Sequence, residues 1–153
     1  MDEFGPKLGV EPELIAAIIL QESGGSQYAI RYEPKWVYWE KPAEISTVLK
    51  TSEASERLGQ AISWGFMQVM GAVARELDFR GDFVELFYPS VNVQLGTAHL
   101  AKFIRKYPNV LDAIASYNAG APRKDAGGRY ANQGYVDGVL GFYRRVKDIP
   151  ASR

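Results

Sequence analysis

The 153-residue chain has no cysteine and a single histidine, His99. Without thiols there is neither a disulfide framework nor a thiolate zinc site, and one imidazole cannot by itself build a histidine metal cage. The same shortage argues against Cys–His and Ser–His nucleophilic chemistry, so no metal or organic cofactor is expected. Net charge is also missing: 18 basic residues balance 18 acidic ones. No long run of Lys and Arg creates the electrostatic footprint that a phosphate backbone requires, and nucleic acid is not an expected partner. The longest oily run, Leu14 to Leu20, falls far short of the roughly 20 residues that cross a bilayer, so no membrane insertion is expected. The start, MDEFGPKLGV, has acidic residues where an export signal needs positive charge. The expectation is a chain made in the cytoplasm with no visible signal peptide.

What is present fits an ordinary globular protein. Apolar residues make up 46% and charged ones 24%, which argues against disorder, and the length suits one domain over 1–153. There is no internal repeat and no succession of alternating strands, so the expected fold is mainly α.

The pattern predicts a helix over about 12–23, opened by Pro12 in a first-turn position and stopped by Gly24. Apolar residues cover nearly every face, which marks a central buried helix. Residues 26–42 are aromatic, irregular and contain two prolines, suiting an ordered loop or short β-ribbon. A short helix is predicted around 43–51, then a polar hinge, TSEASERLGQ, then a helix over about 67–78 entered through SWGFMQVM. Asp82 can cap a short turn through Leu86. Pro89 opens the longest helix, closed by Pro108, and Asn109 caps the next, VLDAIASYNAG, which ends at Gly120. Residues 121–133 read as a loop and a last helix as about 134–148.

One feature of the oily helix conflicts with simple burial. Glu22 shares a face with Ile15, Ile18 and Ile19, where desolvation penalises the ionised carboxylate. A Glu kept protonated near neutral pH is the general acid a glycosidase needs, while a Glu turned out to water at a helix end does nothing.

Four stretches in order add to this: LIAAIILQESGG, WGFMQVM, NVQLGTAHLAKFI and AIASYNAG. Together they resemble the soluble lytic transglycosylase family, lysozyme-like enzymes that cleave bacterial peptidoglycan and are related to goose-type lysozyme. The resemblance implies a lysozyme-like domain whose central helix carries the catalytic acid and base, Glu22. It implies a substrate groove lined by Gln68, Met70, Tyr117 and Asn118, with Ser23, Gly65 and Phe66 beside them. Tyr117 matches the tyrosine whose hydroxyl lies close to the glutamate, whereas Asn92 and Gly96 read as packing residues. Trp36, Tyr38, Trp39 and Trp64 are candidates either for sugar stacking or for packing; Tyr130 and Tyr135 read as structural.

The chain departs from the family's pattern between Glu22 and Gly65, where the link is longer and the family's site-facing serine has no clear counterpart, Gly59 and Gln60 standing at its distance. The insertion brings Glu33 and Glu40, and with Asp78 and Asp82 these are candidates for a second, water-activating carboxylate. The implied reaction is transglycosylation with formation of 1,6-anhydromuramoyl ends on peptidoglycan strands by a monomer. Hydrolysis by a muramidase is the alternative, and a non-catalytic glycan-binding module a third reading. A phage lysin or virion-associated protein fits the lack of an export signal, with action in the periplasm or outside the cell.

Overall fold

A computed structural model describes residues 5–149. The fold is mainly α and lysozyme-like, with a small antiparallel sheet set beside a helical body. After a first turn of helix, α1 (Gly5–Leu8), comes α2 (Pro12–Ser23), whose bounds match the expectation from Pro12 and Gly24. Gly24 adopts φ 61° and donates its N–H to Leu20, closing the helix in the left-handed manner. Ile15 and Ile18 are fully buried, each stabilising the fold by roughly 1.5–3 kcal/mol relative to an exposed side chain.

The sheet has the order β1 (Ile30–Tyr32), β2 (Ile62–Trp64), β3 (Val69–Met70). Ile30 faces Trp64, and Ser63 faces Met70, in antiparallel register. Of the aromatic stretch 26–42, then, only Ile30–Tyr32 forms a strand, Pro42 opens a helix and the remainder is irregular. Between β1 and β2 lie α3 (Pro42–Leu49) and α4 (Glu53–Gln60).

Two expectations are corrected here. The polar hinge over 51–60 is instead α4, because Ser52 caps it by accepting the N–H of Ser55 at 3.0 Å, and because Glu56 finds a partner in the interior. The helix expected from 67 begins only at Gly71, as α5 (Gly71–Glu76). Strand pairing between β2 and β3 claims Val69 and Met70, leaving residues 65–68 as the hairpin's tip.

Asp82 heads a 3₁₀ turn, Phe83–Phe87, through a capping box in which the Glu85 carboxylate accepts the Asp82 N–H at 2.8 Å. The body is completed by α6 (Pro89–Lys106), α7 (Val110–Ala119, capped by Asn109) and α8 (Gln133–Lys147). Helix α8 packs along α2, with Val136 and Val139 fully buried. Gly138 permits the approach: a Cβ there would stand 2.1 Å from the Gln21 side-chain oxygen.

An ion pair lies inside the protein between α4 and α5. Arg75 and Glu56 are each 1% exposed, and the guanidinium donates to both carboxylate oxygens, at 2.8 and 3.1 Å. Its remaining nitrogen donates to the carbonyls of Phe79 and Gly81, and its plane lies over the Phe83 ring. The donors are thus satisfied, as a buried charge pair requires. Among the described residues no helix is long and apolar enough to cross a membrane.

Candidate active site

The tip of the β2–β3 hairpin is pinned from three sides. The buried Asn92 amide donates to the carbonyls of Trp64 and Leu86 and accepts the N–H of Met67, all at 2.8 Å. Tyr117 donates its hydroxyl to the Met67 carbonyl at 2.8 Å. Gly65 sits at φ 67°, with Asn92 and Leu86 so near that a Cβ would be 2.6 and 2.7 Å from them. Its close approach is therefore to the protein's own backbone. Gln68 holds a left-handed φ of 47°, a strained choice for a residue with a side chain. Its amide nitrogen donates to the carbonyls of Ala29 and Gly65, so the amide oxygen is the group left to meet a ligand.

The hairpin, the last turn of α2, the loop after β1, and the middle of α6 and end of α7 surround a cleft of about 470 Å³. Glu22, Gln68, Met70, Tyr117 and Asn118 all line it, joined by Glu33 from the loop after β1. Of the other sequence candidates, Trp36 and Tyr38 also line it and the rest do not. Ser23 turns its hydroxyl back to donate to Ile19 on its own helix, at 3.1 Å. Gly65 is buried under Asn92, and Phe66 packs against the core. Glu40 is drawn aside by Gln60, which bonds both its N–H and its carbonyl at 2.8 Å. Asp78 pairs with Arg80 at the surface, and Asp82 is engaged in its capping box. Trp64 belongs to the core, stacked on Phe83 with its indole N–H on the Gly59 carbonyl, while Trp36 and Tyr38 line the cleft.

The geometry sets a second tyrosine beside Glu22. The bond to the Glu22 carboxylate comes from Tyr135 of α8, whose hydroxyl donates to Oε1 at 2.7 Å. Tyr117, the expected neighbour, spends its proton on Met67 instead. Burial raises the Glu22 pKa above the ordinary carboxylate range; the Tyr135 bond and, at longer range, the charge of Arg31 oppose that rise without cancelling it. Burial and the nearby Glu22 charge push both tyrosines far from ionisation, so each remains a donor. With Oε1 occupied as an acceptor, a proton on Glu22 resides on Oε2.

Ser63, His99 and Arg31 are polar cleft residues that were not site candidates from the sequence. Ser63 of β2 lines the cleft and donates to the Met70 sulfur at 3.0 Å; it stands nearer Gly65 than the positions where a family serine was sought. His99 lies with its ring against Phe103 and Tyr117, its pKa lowered to about 4 chiefly by burial. It is a neutral imidazole on the cleft wall near pH 7. Arg31 donates to Glu33 at 2.5 Å, so the one additional carboxylate on the cleft already has a cationic partner. Among the described residues no group of three or more acidic, His or Cys side chains is arranged to hold a metal ion.

The family model of the transglycosylase SLT domain matches residues 2–135. A curated protein of Haemophilus influenzae named as a soluble lytic murein transglycosylase is 34% identical over the aligned part. That part covers 51% of this chain and 17% of the relative, so the chain corresponds to a small portion of the relative's length. No solved structure gives a significant match.

Proposed function

The chain belongs to the transglycosylase SLT domain family, and from that premise we propose that it cleaves the β-1,4 bond between N-acetylmuramic acid and N-acetylglucosamine in peptidoglycan. The observation that carries the reading is the pairing of a half-buried Glu22, its pKa raised, with the hydroxyl of Tyr135 at the wall of the cleft.

The chemistry follows from that pairing. Protonated Glu22 gives its Oε2 proton to the glycosidic oxygen as the C1–O bond breaks, and the N-acetylglucosamine end leaves as an alcohol. The resulting carboxylate, steadied by Tyr135, takes the proton from the muramoyl 6-hydroxyl. That oxygen closes onto C1 and gives a 1,6-anhydromuramoyl end, returning Glu22 to its starting form. No water is consumed. The Gln68 amide oxygen, the Ser63 hydroxyl and the neutral His99 offer uncharged hydrogen-bonding groups to the sugars, with Trp36 and Tyr38 supplying aromatic surface.

Glu33 is what favours a second reading, hydrolysis by a muramidase, because it shares the cleft with Glu22. Its bond to Arg31 weighs against its serving as a free base. Mass analysis of digested peptidoglycan separates the two: we expect anhydro ends, and reducing ends would replace the first reading by the second. Binding of glycan without any cleavage would leave only a carbohydrate-binding module. The same proposal has the protein act as a monomer on the cell wall, in the periplasm or outside the cell, with a single lysozyme-like domain over 1–153. A phage lysin or virion-associated origin is its finer form, tested by lysis of intact cells on external addition.

A further inference from the structure

The aromatic wall of the cleft has few bonds of its own. Its segment is anchored at the start, where the Glu33 N–H donates to the Ala61 carbonyl at 2.8 Å, and at the end, where Pro42 opens α3. Between those points, among the described residues, 37–40 form no hydrogen bond between backbones, and Tyr38 is 75% exposed. Neither a sheet nor core packing therefore fixes the turn that carries Trp36 and Tyr38 into the cleft. The Trp36 indole N–H donates to the Tyr38 carbonyl at 2.5 Å, which ties the two residues to each other and not to the body. Arg57 of α4 lies over the Trp39 ring, a weak tether at an exposed site.

The bond to the interior comes from Gln60, fully buried at the end of α4. Its amide oxygen accepts the Glu40 N–H and its amide nitrogen donates to the Glu40 carbonyl, both at 2.8 Å. This is the pair of bonds that a neighbouring strand offers a residue, supplied here by a side chain. An amide presents donor and acceptor side by side, which a carboxylate or a thioether of similar length does not. The same nitrogen donates to Glu56 at 2.9 Å, and Arg75 grips Glu56 in turn, so the amide is oriented from behind.

We propose that Gln60, which does not itself line the cleft, is a positioning residue for glycan binding: by clasping the backbone of Glu40 it holds Trp36 and Tyr38 at the cleft wall. A wall already held in place loses little freedom when a strand settles on it. Release of Glu40 lets the aromatic pair drift, so affinity falls, while Glu22 and Tyr135, carried by α2 and α8, keep their bond. The inference rests on the glycan-cleaving reading and adds to it a residue that acts on binding and not on the proton transfers.

The test is kinetic and uses the full chain with soluble, uncross-linked peptidoglycan strands. Gln60→Met keeps the length and bulk of the side chain and deletes the clasp; KM rises about tenfold, equivalent to about 1.4 kcal/mol, while kcat stays within about twofold and the pH–rate profile does not move. Glu40→Ala, which removes the carboxylate but keeps both backbone groups, leaves KM at the parent value. Acrylamide quenching of tryptophan fluorescence increases in Gln60→Met, because Trp36 and Trp39 belong to the released segment while Trp64 stays in the core. Circular dichroism confirms that the variants are folded; should Gln60→Met not fold, Gln60→Asn, which keeps an amide in the interior but draws it back by one methylene, carries the same expectation. An unchanged KM in a folded variant, or a fall in kcat at constant KM, overturns the inference while cleavage by the parent stands. A KM raised equally by Glu40→Ala overturns it as well, since the carboxylate and not the clasp would then be responsible. Absence of cleavage by the parent chain overturns the glycan-cleaving reading itself.

Discussion

Glu22 and Glu56 are both withdrawn from bulk water, yet their surroundings differ in one respect: the first meets a phenol, the second a guanidinium. Tyr135 steadies the Glu22 carboxylate without neutralising its charge, so burial prevails and the group retains its proton more readily than an exposed Glu. Arg75 grips Glu56 through both oxygens, and Gln60 adds a third contact. The carboxylate proposed to give and take a proton is left without a cation in contact, while the one that ties α4 to α5 receives a cation at bidentate range. The distinction is more useful than burial alone for separating catalytic from structural acids.

The comparison can be broken most forcefully at Glu22. Glu22→Gln keeps the shape and the Tyr135 contact but removes the proton cycle, so peptidoglycan cleavage falls by about 10⁴-fold while the thermal midpoint stays near that of the parent. A variant that still clears cell-wall suspensions at the parent's rate would remove Glu22 from the mechanism.

At Glu56 the signature reverses. Glu56→Ala leaves Arg75 buried and unpaired, and urea denaturation records a loss of about 3–5 kcal/mol. The fraction that remains folded retains the Glu22–Tyr135 pair, so activity per folded molecule declines far less than in the Glu22 variant.

A third measurement uses pH. His99 has an unfolded pKa near 6.5 and a folded one of about 4, so its contribution to stability is present above pH 6.5 and is lost as pH falls toward 4. Glu22 has the opposite sign: its raised pKa favours the fold at low pH, and that share is lost as pH rises through its folded value. Replacing His99 by Phe removes about 2–3 kcal/mol from the acid-side decline seen in denaturant melts at pH 7 and pH 4. An unchanged decline would show that the imidazole is hydrated in the folded protein.

The smallest effect sharpens the comparison. Tyr135→Phe deletes the one contact that favours the Glu22 carboxylate, so the acid's pKa climbs further and the pH–rate profile moves to higher pH. Turnover drops about tenfold with the substrate KM little changed. A fall in turnover without any displacement of the profile would assign Tyr135 a packing role.

These contrasts also explain what could be read before folding. Pro12, the oily run, Glu22 and Gly24 are neighbours in sequence, so the bounds of α2 and the candidate acid were legible from local pattern. The pairing of Glu22 with Tyr135 spans 113 positions and that of Glu56 with Arg75 spans 19, and no spacing rule encodes either. The polar run TSEASERLGQ therefore read as a hinge, although two members of it, Glu56 and Gln60, are among the most buried side chains of the fold. Met67 to Met70 suited a helix by periodicity, but a partner strand seven residues earlier claimed the last two for the sheet. Ser23, Gly65 and Phe66 lie within two residues of cleft residues in sequence, yet their side chains or backbones are turned to the helix, the Asn92 amide and the core.

The span between Glu22 and Tyr135 also has a temporal meaning. As the ribosome releases the chain, the glutamate emerges 113 residues before the tyrosine that pairs with it. Until α8 docks, Glu22 lacks its Tyr135 partner, and a nascent or prematurely terminated polypeptide that ends before residue 133 carries the acid without it.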